Sequence, residues 1–210
     1  MKTVTILTCD RTPSYLTDTV NTIPANYKIQ YISQGVIEVP REGEIIHTER
    51  PYASDSNRYR DSQYNYAQAL LNTKDGLIVE DDVMFSIAFD YHYSQILNNI
   101  PAPRYAIALY ACYDFKDTRL INNLYVDYPI DNFYGTQGML FDIHTAREFG
   151  EYLMGTIGNE AYDLALKTFI KNINPRVKLY ATRYSLVQHI GQVSTGLGYN
   201  HQTANFIDNK

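Results

Sequence analysis

The chain has 210 residues and a formal net charge of -5, from 18 Lys and Arg against 23 Asp and Glu. It therefore lacks the global basic field of a protein that binds nucleic acid mainly through phosphates, and its length suits one domain with a real core. Only Cys9 and Cys112 occur, which excludes a disulfide framework and reads as two small core residues in a reducing compartment.

No apolar run approaches the roughly 20 residues of a membrane span, and the opening MKTVTILTCD lacks the long apolar core and cleavage site of a signal peptide. A soluble, cytoplasmic protein is expected, in a bacterium or a virus-infected host cell. The 20 Tyr with no Trp supply rings with polar tips, suited to lining a cleft for sugars or bases.

TVTILTC is a β-branched opening strand; Asp10 to Ser14 turn it into a helix in which Tyr15, Thr19, Val20 and Ile23 have helical spacing. YKIQYIS predicts a second strand, and GVIEVPREGEIIHTERPYASDS an irregular stretch broken by Pro40, Gly43 and Pro51. A longer helix follows, with Asp55 or Ser56 as cap and Tyr59, Tyr66, Ala67, Leu70 and Leu71 on one face. Lys74, Asp75 and Gly76 turn it into LIVEDDV, residues 77 to 83.

RYAIALYACY predicts another strand, DFKDTRLINNLYVDYPIDN a long loop of the kind that covers a substrate, and FYGTQGMLFDI a strand interrupted by Gly135 and Gly138. Thr145 and Glu148 form a capping box ahead of a helix that buries Ala146, Phe149 and Leu153. A second helix after Asn159 turns Tyr162, Leu166, Phe169, Ile170 and Ile173 inward and ends at Pro175. VKLYATRYSLVQHIG reads as one last strand, followed by a Gly-, Asn- and Thr-rich tail over 196–210 that is ordered only if something ties it down. The alternation of strands and helices implies a single α/β domain over 1–195 with a largely parallel sheet, whose ligands gather at the carboxyl ends of the strands.

LIVEDDV puts Glu80, Asp81 and Asp82 at such an end. Like charges a few ångströms apart raise one another's pKa, and a divalent cation such as Mg²⁺ or Mn²⁺ removes the conflict while leaving positions open for water and phosphate. Strand alternation points Glu80 and Asp82 to one side and Asp81 to the other. A solvated acidic turn is the plain alternative. His189, at the end of the last strand, reaches the same edge if the strands lie parallel.

With these landmarks in order, the sequence resembles a glycosyltransferase of the GT-A fold, a Rossmann-like α/β/α sandwich that uses nucleotide-sugar donors. EDD, residues 80 to 82, resembles the DxD motif, with Glu80 or Asp81 as the donor-facing partner of Asp82. GTQG, residues 135 to 138, resembles the glycine loop; an acid in NEAYDLAL resembles the catalytic acid at the start of the following helix; QHIG resembles the C-terminal metal-binding segment. Local similarity is to the N-acetylglucosaminyltransferase IV family and to lipopolysaccharide-type transferases.

The resemblance implies a metal-dependent, inverting enzyme that moves a sugar from a nucleotide diphosphate, UDP by preference, to an acceptor hydroxyl. It implies Mn²⁺ or Mg²⁺ on Asp82 and His189, with Glu80 through water. The donor falls to Thr8, Asp10, Arg11, Ser33, Gln34, Arg60, Gln63, Asp81, Gly135, Gln137 and Gly138, and the base is Asp163, with Glu160 the other candidate. The acceptor is a saccharide or a hydroxymethylated or glycosylated base in phage-type DNA, for which Arg104, Lys116 and Arg119 offer phosphate contacts. Two rivals stand beside this reading. One is a non-catalytic nucleotide-sugar-binding module; the other is a Mg²⁺-dependent nucleotidyltransferase, although TCDRTPS lacks the glycines of a phosphate loop.

Overall fold

The computed structural model describes residues 2–52, 59–110, 120–121, 123–192, 203 and 206–209. The proposed caps Asp55 and Ser56, together with Cys112, Lys116, Arg119 and most of the tail, lie outside the described residues.

The chain order is β1 (Thr3–Cys9), α1 (Leu16–Thr22), β2 (Lys28–Gln34), β3 (Glu44–Thr48), α2 (Tyr59–Asn72), β4 (Leu77–Glu80) and β5 (Val83–Phe85). It continues with α3 (Phe89–Asn98), β6 (Tyr105–Ala108), β7 (Tyr125–Asp127), β8 (Gly138–Phe141), α4 (Ile143–Gly155), α5 (Tyr162–Thr168), β9 (Lys178–Thr182) and β10 (Val187–His189). A π-helical turn over Phe169–Ile173 extends α5.

Eight strands form the central sheet in the order β3-β2-β1-β4-β8-β6-β9-β7. β3, β2, β1 and β4 run parallel, β8 runs against β4 and β6, β9 follows β6, and β7 closes the edge antiparallel to β9. This is the largely parallel α/β sandwich expected. The carboxyl ends of β1, β2, β4, β6 and β9 therefore share one edge of the sheet.

Strand alternation sends side chains into two cores. Val4, Ile6, Leu77 and Val79 pack with Leu16, Val20, Phe89 and Tyr93 of the α1/α3 layer. Ile78 packs instead with Tyr66, Leu70, Phe149, Leu166 and Phe169 of the α2/α4/α5 layer. Each such side chain, fully buried, contributes roughly 1.5–3 kcal/mol. The same alternation assigns Glu80 to the α5 side.

Several local expectations are corrected. β3 lies inside the stretch read as irregular, and β7 inside the stretch read as a loop. The last apolar run is two strands in different sheets: β9 joins the main sheet, whereas β10 pairs antiparallel with β5 in a two-stranded sheet. The cap of α4 is Asp142, whose Oδ1 accepts from the Thr145 amide at 2.9 Å, so Thr145 is a first-turn residue and not the cap. Ala146, Phe149 and Leu153 are buried as expected, and so are Leu166, Phe169 and Ile170, but Ile173 is exposed.

The turn into β4 depends on Gly76, whose φ is +76° and whose absent Cβ would lie 2.0 Å from the Phe141 carbonyl oxygen. Gly155, at the end of α4, has open space where its Cβ would be. Gly76→Ala is expected to lower stability by at least about 1–2 kcal/mol in urea denaturation, and Gly155→Ala to be neutral or stabilising by up to about 1 kcal/mol.

Candidate active site at the strand ends

β4 ends at Glu80, and Asp81 and Asp82 form the turn into β5. The α1 helix holds that turn: the Thr19 hydroxyl donates to the Asp81 carbonyl at 2.8 Å and accepts from the Val83 amide at 3.0 Å. Because the chain turns here, strand alternation stops at Glu80, and Asp81 and Asp82 face a common partner. Arg11 Nη2 lies 2.5 Å from Asp81 Oδ1 and 3.1 Å from Asp82 Oδ2. Thr8 Oγ1, at the end of β1, donates to Asp81 Oδ2 at 2.6 Å.

Glu80 lies on the other side, where its Oε1 accepts from the Tyr162 hydroxyl at 2.9 Å. The Tyr162 ring is stacked on Tyr66, with centroids 4.5 Å apart and planes 9° apart, so α2 and α5 together orient the hydroxyl that meets Glu80.

His189 arrives from the small sheet, where it pairs with Val83 next to Asp82. Its Nε2 is 3.3 Å from Asp82 Oδ2, and the Ile190 amide donates to the Asp82 carbonyl at 2.8 Å. Asp82 and His189 are both buried. A Cβ on Gly191 would lie 2.6 Å from Asp82 Oδ2 and 3.0 Å from His189 Nε2, so only glycine fits against the pair. The small sheet is itself tied to the C-terminal segment. Gln188 exchanges two hydrogen bonds with the Thr203 backbone, Asp208 accepts from Ser86 Oγ and the Ile87 amide, and Phe206 is buried.

The charges are unequally stabilised. Burial and the Asp82 charge push Glu80 up to about 7, against the pull of the Tyr162 hydroxyl and His189. Burial pushes Asp81 up to about 6 even though Arg11 and Thr8 favour its ionised form. Burial also opposes ionisation of Asp82, but the hydrogen bond and charge of His189 and the charge of Arg11 outweigh it and hold this carboxyl below the ordinary value. The same contact raises His189, again against burial.

The fit of a hard divalent cation rests on Asp82 and His189. Asp82 Oδ1 is buried with no hydrogen-bond partner among the described residues, and carboxylate and imidazole are both suitable donors. Among the described residues no three His, Cys, Asp or Glu side chains form a metal-binding group. Two protein ligands suit an ion that keeps most of its shell for water and phosphate, as Mg²⁺ does. Glu80 is engaged with Tyr162 and does not complete such a group.

The glycine loop reaches the same edge. Gly135 has φ +85°, and a Cβ there would meet Gln137 Oε1 at 2.4 Å; the Gln137 carbonyl accepts from the Glu80 amide at 3.0 Å. A Cβ on Gly138 would lie 2.6 Å from Val187 Cγ2, so this glycine lets the small sheet approach β8. Since β8 runs away from the site, α4 returns the chain and brings Glu160 and Asp163 to that edge, both partly buried. Asp163 lies near the Tyr66 and Tyr162 hydroxyls, whose pKa values burial and nearby acids raise. Its Oδ1 accepts from the Leu164 amide.

Asp10 is exposed after β1. Gln63 is buried, and its amide donates to the Thr156 carbonyl and accepts from the Gly158 amide, holding the loop before α5. Arg60 lies against Gly158 and over the Tyr52 ring. Gln34 donates to the Glu49 and Asp61 carbonyls, and Ser33 to the Gly35 carbonyl. Arg104 precedes β6, at the opposite edge of the sheet, where it pairs with Glu148 and Asp142. Residue-by-residue reading missed Thr19 and Tyr162 as a partner of Glu80, and it included Gly191 in QHIG without assigning it a role. Only Gly191, two residues after His189, carried a local signal.

No family model and no curated protein matches the sequence. Among solved structures, the chain is similar to the galactosyltransferase LgtC in complex with donor and acceptor sugar analogs: 11% identity and a TM-score of 0.51, covering 85% of this chain and 73% of that one. It is also similar to TarS 1-349 of S. aureus, at 9% identity and a TM-score of 0.47, with 86% and 60% covered. A third similar structure is the glycosyltransferase GlyE of Streptococcus pneumoniae TIGR4, at 11% identity and a TM-score of 0.47, with 85% and 45% covered. The likeness to LgtC establishes the fold, a GT-A-type α/β/α sandwich in a single domain. No helix among the described residues is long and apolar enough to cross a membrane.

The pKa directions give a pH dependence for the metal-free protein. Glu80, Asp81 and His189 are raised, so the folded state holds their protons more tightly and stability falls as pH rises through their folded values. Asp82 is lowered, so its contribution is present above the ordinary 3.8 and is lost as pH falls through its folded value. The urea midpoint is expected to decline between pH 3.8 and about 7, the window set by the ordinary value of Asp81 and the raised value of Glu80, and Glu80→Gln is expected to make that decline shallower without removing the Asp81 part, which falls between 3.8 and about 6.

Proposed function

We propose that the chain is a glycosyltransferase that moves a sugar from a nucleotide diphosphate donor, a UDP-sugar, to an acceptor hydroxyl, with Mn²⁺ or Mg²⁺ held by Asp82 and His189. The observation that carries this reading is the Asp82–His189 pair against Gly191, with one Asp82 oxygen buried and unpartnered among the described residues. When bound, the cation neutralises charge on the diphosphate as the nucleotide leaves.

The chain's own groups supply the rest. Thr8 and Asp81 position Arg11 beside the diphosphate, and the exposed Asp10 stands at the carboxyl end of β1, where the nucleoside docks. The Gly135–Gly138 turn brings backbone close to the donor sugar. Asp163, at the first turn of α5, takes the proton from the acceptor hydroxyl; Glu160 is the second candidate. A single base in line with the anomeric carbon gives inversion.

The acceptor proposed is a saccharide. Arg104, one of three residues offered for DNA phosphates, is tied to Glu148 and Asp142 away from the site, so it does not itself support a DNA acceptor. Activity on a saccharide should accordingly show little salt dependence, whereas a phosphate-bound acceptor would lose affinity steeply with salt.

Asp82→Ala and His189→Ala are each expected to weaken Mn²⁺-dependent donor binding by about tenfold or more in calorimetry. An unchanged donor affinity removes that residue from the site. Asp163→Asn is expected to lower kcat by roughly 10²–10⁴-fold while donor affinity stays within about twofold. Near-normal turnover in that variant would overturn the base assignment, and no turnover in the wild-type chain with any donor would favour a binding module.

A further inference from the structure

Arg11 serves both acids of the turn with one nitrogen, yet the two acids differ in what else they have. Asp81 is satisfied on both oxygens, by Arg11 on Oδ1 and Thr8 on Oδ2. Asp82 meets Arg11 and His189 through Oδ2 alone, while its Oδ1 has no hydrogen-bond partner among the described residues. The Arg11 guanidinium carbon lies 5.3 Å from the centre of the Tyr15 ring, and the Tyr15 hydroxyl accepts from the Gln192 amide at 3.1 Å. Arg11 is thus anchored from Asp81, Thr8's partner, and from the segment that follows His189. Its hold on Asp82 is the longer of its two ion pairs.

A carboxylate shared by a guanidinium and a divalent cation brings two positive charges together in a poorly solvated place, where repulsion is only weakly screened. A diphosphate placed between them relieves it, and a guanidinium is built to take two phosphate oxygens at once.

We propose that Arg11 is an exchangeable counter-ion: it neutralises Asp82 while no divalent cation is bound, and gives Asp82 up to the cation as it turns to the donor diphosphate, pivoting on Asp81. This rests on the metal-dependent reading above. Arg11 then couples the two ligands, opposing the cation when it binds alone and favouring it when the diphosphate is present. Asp81 acts through Arg11 and is a positioning residue. No covalent step is involved.

The test is calorimetric titration with Mn²⁺ alone, and with UDP at saturating Mn²⁺, on wild type, Arg11→Gln, Arg11→Lys and Arg50→Gln, each checked for folding by its melting curve. Arg50 contacts the Asp10 and Gln34 carbonyls and neither acid of the turn, so it controls for general charge. Arg11→Gln is expected to bind Mn²⁺ alone roughly tenfold more tightly, and UDP roughly tenfold more weakly, while Arg50→Gln changes Mn²⁺ affinity by about twofold or less.

Arg11→Lys keeps a cationic side chain beside the two acids. It should bind Mn²⁺ alone within about threefold of wild type but UDP about fivefold more weakly, because an ammonium cannot bridge two phosphate oxygens. Wild-type protein that binds no Mn²⁺ with or without UDP defeats the metal-dependent reading. Wild-type binding with unchanged Mn²⁺ affinity in Arg11→Gln, or unchanged UDP affinity in Arg11→Lys, overturns the exchange alone.

Discussion

Three consecutive carboxylates at the end of a core strand are the constraint around which the rest of the site is arranged. Unpaired, such charges cost far more than a strand contributes, so each must find a partner or lose its charge. The chain meets the demand from three directions. Tyr162 comes from α5 to Glu80, Arg11 and Thr8 come from the end of β1 to Asp81, and His189 comes from β10 to Asp82. Thr19 of α1 holds the turn that separates them. Every element that touches the acids is also a load on the surrounding fold, which ties the geometry of the site to the packing of both cores.

The two-stranded sheet is the least obvious part of this arrangement. β10 leaves the main sheet to pair with β5, and this departure brings His189 over Asp82. Its position depends on small residues: Gly138 lets Val187 approach β8, and Gly191 leaves room beside the Asp82 carboxylate. The C-terminal segment adds a strap through Gln188 and Asp208, so the part of the tail that is described has a reason to be ordered.

Much of the fold was legible because long runs of apolar residues have a clear period. β1, β2, β4, β6, α2 and the buried faces of α4 and α5 could be read that way. β3 could not, because this edge strand is mostly exposed and lies among Pro40, Gly43 and Pro51, which read as breaks. The division between β9 and β10 was hidden by the continuous apolar run that contains both, and α3 went unread although Phe89, Tyr93 and Ile96 carry helical spacing. At the site, residue type and order pointed to the acids and to His189. The Tyr162–Glu80 contact and the sharing of Arg11 by both aspartates arise from tertiary packing across more than 60 residues, which no local pattern encodes.

A sugar-transfer function requires that the acids and His189 form a donor-diphosphate site and not only a neutralised strand end. The most direct measurement is a thermal-shift screen of nucleotide sugars with and without Mn²⁺, since a ligand that binds only the folded state raises the melting temperature according to its affinity. The account predicts a rise with one donor that requires Mn²⁺ and disappears in Asp82→Ala. A melting temperature unmoved by every donor, with and without the metal, would contradict it and leave Arg11 and His189 as plain counter-charges to a buried acidic turn.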